Sequence, residues 1–240
     1  MQWGADLMYT DVFCRVYNEF GWNYYPEAFG QELLQWLKRN AFQPRSALDI
    51  GCGTGVLCGI LKDAGVDAWG MDLSPEMIRI ARENYPGIPF YEGDMCTFAP
   101  GRQFDLITAT GDVLNHLPTL EDLGRVFANV YDLLNPGGYF IFDLLNPNEA
   151  PEGEPFLLDF SPQVQAIFQI TRPEEALVKL EIQVFEDGKK AFTQAILETI
   201  HDADAVQALL EQARFSVTRG STLIPDPDRR STTWYFIARK

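Results

Sequence analysis

The sequence predicts an α/β fold in which a parallel sheet carries helices on both faces. Short apolar runs alternate with segments whose apolar residues recur at helical spacing, and the first run leads directly into the glycine loop 51–55. Strands that alternate with helices in this way form parallel sheets covered by helices. With 240 residues, of which 46% are hydrophobic, the chain has the length of one α/β domain with a small subdomain.

Two helices are predicted ahead of the first strand. Apolar residues over 13–20 fall at helical spacing. The second helix is expected to begin near Pro26, since proline suits a first helical turn. Its apolar face consists of Phe29, Leu33, Trp36 and Leu37. The aromatic residues Trp3, Trp22, Tyr24 and Tyr25 are expected to pack within this N-terminal part or, alternatively, to line a pocket.

The central part of the chain predicts five strands, over residues 47–50, 68–73, 89–91, 104–110 and 139–144. The helices between them carry start and stop signals. Ser74 is expected to cap a helix whose first residue is Pro75. Thr119 and Asp122 have capping-box spacing, and the turn 135–138 ends the helix that they begin.

After residue 144 the alternation of strands and helices stops. Residues 146–162 contain four prolines and predict a loop. Apolar residues alternate over 178–184, as in a half-buried strand. Asp187-Gly188 then predicts a hairpin turn into a return strand over 192–200.

The core pattern is thus interrupted by a small antiparallel insertion between about Pro147 and His201. His201 precedes a predicted helix and is expected to be solvated. That helix carries the apolar residues Val206, Leu209, Leu210 and Ala213. A final strand is predicted over 232–238.

Composition and charge disfavour several functions. The formal net charge of −15 repels the phosphate backbone that supplies most non-specific nucleic-acid affinity. No apolar run reaches the roughly 18 residues of a membrane span, and residues 1–10 carry no secretory signal. The four cysteines form no C-x-x-C pair, which argues against a zinc site. We therefore expect a cytoplasmic protein without a metal that binds neither nucleic acid nor membrane.

The glycine loop is the first candidate for ligand binding. Gly51, Gly53 and Gly55 permit a sharp turn and the close approach of a ligand. The loop lies where the first strand ends, which is the edge at which open α/β sheets bind ligands. Such a unit also fits a nicotinamide or flavin protein, or a turn without a ligand. Val56, however, stands where a dinucleotide fingerprint requires its last glycine.

Three acidic residues accompany the loop. Asp72 ends the second strand, where a carboxylate can accept from both hydroxyls of an adenosine ribose. Asp94 follows the third strand and is placed to accept from an adenine amino group, although Gly93-Asp94 also fits an ordinary turn. Asp49, inside the first strand, is placed to orient the amino group of a bound amino acid moiety. Together these positions indicate an adenosyl ligand.

At these residues the sequence resembles the class I S-adenosylmethionine (SAM)-dependent methyltransferases. Residues 47–55 are similar to the first motif of that family, 70–77 to the second and 92–95 to the third. Residues 104–107 and 134–138 are similar to its fourth strand and to its turn into the fifth. The resemblance implies a Rossmann-like, seven-stranded, mostly parallel sheet with an antiparallel last strand.

The resemblance also implies SAM as cofactor, with S-adenosylhomocysteine as product. Asp49 and the glycine loop would hold the methionine part, Asp72 the ribose, and the segments after the second and third strands the adenine. The residues assigned to the cofactor are Tyr9, Tyr17, Asp49, Gly51, Cys52, Gly53, Asp72, Leu73, Met77, Asp94, Met95 and Thr110. Tyr9 and Tyr17 are expected on an N-terminal helix that folds over the cofactor.

Four regions follow from this resemblance. Residues 1–44 would form a helical cap over the cofactor, and residues 45–146 the SAM-binding core. Residues 147–201 would be the antiparallel insertion that forms part of the acceptor pocket, and residues 202–240 would complete the core sheet.

The segment 111–116, after the fourth strand, is where the methyl acceptor would lie. An amine acceptor must lose a proton, for which His116 is the candidate base. Asp112 is the candidate for holding a cationic amine. The alternative for His116 is a structural histidine bonded to a backbone group, and the alternative for Asp112 is a carboxylate that serves only the loop or a helix cap. The insertion resembles that of small-molecule N-methyltransferases, including those acting on nucleotide-linked amino sugars.

The predicted function is therefore methyl transfer to a small-molecule acceptor, preferably an amine. Two alternatives stay open: a non-catalytic SAM-binding module and an NAD(P)-dependent oxidoreductase. The oligomeric state is expected to be a monomer or a homodimer.

Overall fold

The computed structural model describes residues 9–146, 153–223 and 233–240. Trp3, part of the predicted proline-rich loop (147–152) and Thr232 lie outside these ranges. The helices are α1 (Asp11–Val16), α2 (Tyr24–Arg39), α3 (Val56–Asp63), α4 (Pro75–Asn84), α5 (Leu120–Leu133) and α6 (Ala203–Gln212). The strands are β1 (Ser46–Ile50), β2 (Asp67–Asp72), β3 (Phe90–Glu92), β4 (Phe104–Ala109), β5 (Leu134–Leu145), β6 (Phe156–Asp159), β7 (Val164–Glu174), β8 (Leu177–Glu186), β9 (Lys189–Thr199), β10 (Ser216–Gly220) and β11 (Thr233–Arg239). A short 3-10 helix, Val113–His116, follows β4.

Seven strands form the main sheet, in the order β10-β11-β5-β4-β1-β2-β3. β1 pairs in parallel with β2 and β4, and the pairs β2–β3 and β4–β5 are also parallel. β11 runs antiparallel to both of its neighbours, β5 and β10. The predicted fold class is confirmed, including the antiparallel last strand. The loops after β1 and β4 consequently meet at the same edge of the sheet.

Helices cover both faces because the central strands present apolar side chains to each side. All five residues of β1 are buried, and successive residues point to opposite faces. Leu48 and Ile50 join the cluster that includes Phe127 of α5 and Leu210 of α6. Ala47 joins the opposite cluster, which α2, α3 and α4 cover. This double burial fixes β1, and with it the start of the glycine loop.

A second, antiparallel sheet has the order β6-β7-β8-β9. Asp187 and Gly188 both have positive φ, 48° and 73°, as a type I′ turn requires, and they connect β8 to β9 as predicted. The predicted loop over 146–162 was wrong at β6. The prolines flank this strand rather than interrupt it, so it can pair with β7. No strand was predicted at β7, and the seventh core strand that the resemblance implied was not assigned to the residues of β10.

The N-terminal segment, residues 9–23, packs against the second sheet and reaches the glycine loop. Phe13 is fully buried in a cluster with apolar residues of β7, β8 and β9. Gln194 Oε1 accepts from the backbone nitrogen of Thr10 at 2.9 Å and from its hydroxyl at 3.0 Å. On the other side, the Thr54 hydroxyl donates to Asn18 Oδ1 at 3.0 Å. The segment therefore bridges the insertion and the main sheet.

The predicted helix caps at Ser74 and Thr119 are confirmed. The Ser74 hydroxyl accepts from the Met77 nitrogen at 3.2 Å. The Thr119 hydroxyl accepts from the Asp122 nitrogen at 3.1 Å. Both bonds satisfy backbone donors that the first turn of a helix leaves without a partner.

One further expectation is confirmed and another was wrong. α2 begins at Tyr24, so Pro26 lies in its first turn as expected. His201 is 4% exposed rather than solvated. Its Nε2 lies 3.0 Å from the Leu117 carbonyl oxygen, and burial lowers the pKa of the ring. Of the helices in the described ranges, none has the length and apolar content that a bilayer span requires.

Candidate active site

A cavity of about 260 Å³ opens at the carboxyl ends of β1 and β4. Its walls come from the N-terminal segment, the glycine loop, the loop after β4 and the second sheet. Of the residues predicted to bind the cofactor, those that line it are Tyr9, Tyr17, Asp49, Gly51, Cys52, Gly53 and Thr110. The structure thus brings most of the predicted cofactor residues together at the edge where such sheets bind ligands.

A larger recess, of about 340 Å³, lies elsewhere, at the amino-terminal ends of β2 and β3. It is lined by Lys62, Asp67 and Pro89, among others, and none of the predicted site residues reaches it. Parallel sheets bind ligands at the opposite edge. The smaller cavity is therefore the candidate site.

The glycine loop brings the ends of β1 and β4 close together. Gly51 and Gly53 have positive φ values of 68° and 51°. A Cβ on Gly51 would lie 2.6 Å from both methyl carbons of Val113, so the two loops touch at this point. A Cβ on Gly53 would meet no atom within 4 Å. The backbone at Gly53 is therefore open to a ligand.

Asp72 stands behind the glycine loop, at the end of β2. Its Oδ2 accepts from the Gly53 nitrogen and its Oδ1 from the Ser74 nitrogen, both at 2.9 Å. Burial raises the pKa of Asp72, and these backbone hydrogen bonds partly oppose the rise. Asp72 is not among the described residues that line the cavity. It positions the loop, and its contact with a ribose stays a prediction.

Asp49 lines the cavity from inside β1 and is 4% exposed. The Thr108 hydroxyl on β4 donates to its Oδ1 at 2.7 Å. Burial raises the pKa of Asp49 to about 7, the Thr108 bond opposes the rise, and the charges of Asp72 and Asp143 add to it. A positive charge in the cavity would lower this pKa again. Asp49 is therefore suited to a cationic ligand.

The four residues predicted to contact the adenine lie outside the cavity. Leu73 follows the last residue of β2 and is exposed, and Met77 is a buried residue of α4. Asp94 is exposed, and its Oδ1 accepts from the Cys96 nitrogen at 2.8 Å. Asp94 thus begins a turn, in agreement with the alternative that Gly93-Asp94 serves a turn rather than a ligand. Met95 packs against the main core. Their adenine contacts stay predictions.

Tyr9 and Tyr17 flank α1 instead of lying on it. The Thr10 hydroxyl accepts from the Phe13 nitrogen and starts the helix after Tyr9, while Tyr17 follows its last residue. The expectation that both lie on the helix was therefore wrong. Their ring centroids lie 6.0 Å apart at the cavity. Burial raises the pKa of both hydroxyls, which keeps them protonated and able to donate.

Asp112 and Glu198 both line the cavity, from the main sheet and from the insertion. Asp112 follows β4 with a left-handed backbone, φ 59°. Burial raises the pKa of Asp112 well above its usual value and that of Glu198 to about 7, and the charge of Asp143 adds to both shifts. The cavity therefore holds acids that ionise with difficulty until a cation is near.

Glu198 and its apolar neighbours in the cavity, Leu180 and Ile196, were not predicted as site residues. The signal that could have found them is the alternation along β9. Gln194, Ile196 and Glu198 share one face of that strand, and a carboxylate on a face with buried residues is unusual. Trp22 also lines the cavity, which agrees with the expectation that it lines a pocket.

His116 ends the 3-10 helix behind Tyr9. The two rings meet edge to face with centroids 5.9 Å apart. Burial lowers the pKa of His116, and a hydrogen bond with the Leu197 backbone opposes the shift. The ring is therefore neutral near pH 7. Since His116 is not among the described residues that line the cavity, its role as a base stays a prediction.

The comparisons with known proteins agree with this geometry. Residues 47–138 match a family described as a methyltransferase domain. The CcbJ methyltransferase from Streptomyces caelestis has the same fold, with a TM-score of 0.82 at 19% identity over 98% of this chain and 99% of that chain. Residues 47–138 therefore match a methyltransferase domain, and the chain has the fold of that class of proteins.

The chain is also similar to proteins named for amino sugars. It is 31% identical to a dTDP-3-amino-3,4,6-trideoxy-alpha-D-glucopyranose N,N-dimethyltransferase from Streptomyces venezuelae, over 58% of this chain and 57% of that enzyme. The chain thus spans little more than half the length of that curated relative. SAM-bound CalS10, an amino pentose methyltransferase from Micromonospora echinaspora, has a TM-score of 0.76 at 22% identity, over 97% of this chain and 98% of that chain.

Proposed function

We propose that this methyltransferase transfers the methyl group of SAM to an amine nitrogen of a small molecule. The observation that carries the proposal is the pair of acids, Asp112 and Glu198, in the cavity beside the glycine loop. A cavity lined by acids attracts a cationic amine. The names of the amino-sugar relatives support the same class of acceptor.

The residues around the glycine loop fit SAM. The backbone at Gly53 is open, and buried Asp49 has a neutral hydroxyl as its hydrogen-bond donor. The ammonium and sulfonium of SAM would supply the positive charge that Asp49 needs in order to ionise fully. When bound, SAM supplies an activated methyl group. Asp49 would hold its amino acid end, and Asp72 would hold the ribose.

The acids would bind the amine and remove its proton. Asp112 holds the ammonium form of the acceptor by charge. Glu198, with a pKa of about 7, is divided between acid and carboxylate at neutral pH, so it can take up the proton that the ammonium must lose. Trp22, Leu180 and Ile196 keep water away from the neutral amine. Holding both partners in line supplies up to ~7–11 kcal/mol of the acceleration.

The two alternative functions have less support. An oxidoreductase would need the last fingerprint glycine, where Val56 instead begins α3. A non-catalytic module would need the glycine loop but would have no use for the two acids opposite it.

SAM binding is the first test, by calorimetry on the wild type, Asp72→Ala and Asp63→Ala. We expect micromolar affinity in the wild type and roughly a hundredfold loss in Asp72→Ala, which removes charge-assisted hydrogen bonds. Asp63→Ala removes an exposed acid of α3 and should bind like the wild type. Equal affinity in all three proteins would contradict the assignment.

An acceptor screen is the second test. Aliphatic amines and amino sugars are compared with the matching alcohols, and release of S-adenosylhomocysteine is measured. Turnover of amines alone supports the proposal. Turnover of alcohols alone would refute transfer to nitrogen, and SAM binding without any turnover would favour the non-catalytic module.

A further inference from the structure

Asp143 is a fully buried carboxylate directly behind the cavity, on β5. Its Oδ1 accepts from the Gly111 nitrogen at 3.0 Å and from the Asp112 nitrogen at 3.1 Å. Its Oδ2 accepts from the Tyr25 hydroxyl, whose oxygen lies 3.1 Å from the Tyr235 hydroxyl. One carboxylate thus joins β5 to α2 and to the loop after β4, and through Tyr25 to β11.

The loop that Asp143 binds has an uncommon backbone. Gly111 and Asp112 have φ values of 86° and 59°. The left-handed region is disfavoured for a residue with a Cβ, so Asp112 must be held there by its surroundings. In this conformation both backbone nitrogens donate to Asp143, while Asp112 itself lines the cavity.

We propose that Asp143 is a positioning residue for methyl transfer, which holds Gly111 and Asp112 in the left-handed turn and so aims the Asp112 carboxylate at the acceptor. The inference rests on the proposed function, in which Asp112 holds the amine. Asp143 is not among the described residues that line the cavity, so it acts through Asp112 rather than on the acceptor.

Asp143 also influences the charge of the acids in the cavity. After burial, repulsion from Asp143 raises the pKa of Asp112 and of Glu198. The other titratable groups around these acids include Tyr9, Tyr17, Asp49, Cys52, Asp72 and His116, and the neighbouring strand β8 carries the ion pair of Lys179 with Glu181. Because the charge of Asp143 is the cause that follows burial in raising the pKa of Glu198, loss of that charge should lower this pKa.

The variant Asp143→Asn tests this role, since it keeps the size of the side chain and removes its charge. Asp105→Asn is the matched control, because Asp105 also accepts from backbone nitrogens, those of Arg45 and Ser46, but at the other end of the sheet. Amide hydrogen exchange is measured at Gly111 and Asp112. The titration of Glu198 is followed by NMR, with its signal assigned from Glu198→Gln.

In Asp143→Asn we expect roughly tenfold faster exchange at both amides, because hydrogen bonds to a charged acceptor are lost. The midpoint of Glu198 should fall by about one pH unit, because a like charge is removed. With an active acceptor, the acid limb of the pH profile should move down by the same amount. Asp105→Asn should change none of these quantities.

Unchanged exchange and an unchanged Glu198 midpoint in folded Asp143→Asn would overturn the proposal. If that variant does not fold, exchange is measured in the wild type, where amides of Gly111 and Asp112 that exchange as fast as exposed loop amides would overturn the proposal. These measurements need no acceptor. A failed acceptor screen would therefore refute the proposed function without deciding the role of Asp143.

Discussion

The two sides of the cavity are assembled in opposite ways. On the side proposed to bind the cofactor (the cofactor side), Asp49, the glycine loop and Asp72 belong to one strand–helix–strand unit. The Gly53 nitrogen donates to Asp72 within this unit, and Thr108 on the adjacent β4 donates to Asp49. On the side proposed to bind the acceptor (the acceptor side), Asp112 and Glu198 line one cavity because the insertion packs against the N-terminal segment and against the 3-10 helix after β4, where Asn115 donates to the Thr199 carbonyl oxygen at 2.7 Å. The comparison indicates that binding of the cofactor and choice of the acceptor can be changed separately, which substitutions on each side can test.

The largest expected effect is on the cofactor side, with Gly51→Ala. The new Cβ would lie 2.6 Å from both methyl carbons of Val113, and the alanine would have to keep the positive φ of Gly51. We expect SAM affinity to fall roughly a hundredfold, or about 3 kcal/mol, from strain and overpacking. The measurement is calorimetry.

Gly65→Ala is the control for that substitution. Gly65 has a φ of 85°, and a Cβ there would meet no atom within 4 Å, so the change imposes the backbone strain without the clash. Gly65 lies just after α3, away from the cavity. Similar SAM affinity in the two variants would mean that the close contact with Val113 has no role in forming the cofactor side.

The next effect is on the acceptor side, with Glu198→Gln. We expect kcat to fall by about a hundredfold, because the proton acceptor is lost, with SAM affinity unchanged. The carboxylate form of Glu198 exists above its pKa of about 7, so the wild-type rate should rise as the pH rises through that value. The rise should be absent in the variant.

Glu186→Gln, at the exposed end of β8, is the matched control and should keep the wild-type pH profile. A wild-type profile in Glu198→Gln would instead remove Glu198 from the reaction. His116 would then be the next candidate for the base.

The smallest expected effect comes from Leu180→Ala on the insertion wall. Removing part of an apolar wall should raise the KM for the acceptor about fivefold, or ~1 kcal/mol, and leave the SAM Kd unchanged. Leu157→Ala on β6 makes the same change at a side chain that is exposed and outside the cavity. Equal shifts in the KM and the SAM Kd would argue against two separable sides.

The cofactor side could be predicted because its signals are local. The buried run of β1, the positive-φ glycines and the acid at the end of β2 lie close together in the sequence, and their positions in the fold follow from the alternation of strands and helices. The caps at Ser74 and Thr119 are local for the same reason. Each depends on residues only a few positions away.

On the acceptor side, Asp112 was predicted from its place after the fourth strand, but the residues that reach the cavity through long-range contacts were not. Asp143 stands in an apolar strand, and its partner Tyr25 is 118 residues away in the sequence. Glu198 reaches the cavity because β9 packs against the N-terminal segment and against the 3-10 helix after β4, both distant in the sequence. His201 was misjudged likewise, since its burial depends on the distant Leu117 carbonyl.

The unequal attachment of the N-terminal segment has a consequence for the catalytic cycle. On the insertion side it is anchored by buried Phe13 and by the bonds from Thr10 to Gln194. On the other side it is held by a hydroxyl bond from Thr54, by the Cys14 sulfur 3.7 Å from the Ser74 hydroxyl oxygen, and by the ring contact of Tyr9 with His116. The ion pair of Arg15 with Glu76 contributes little, because the Arg15 side chain is 62% exposed. We expect the segment to swing open about its insertion side, so that departure of the spent cofactor, rather than bond making, limits the overall speed.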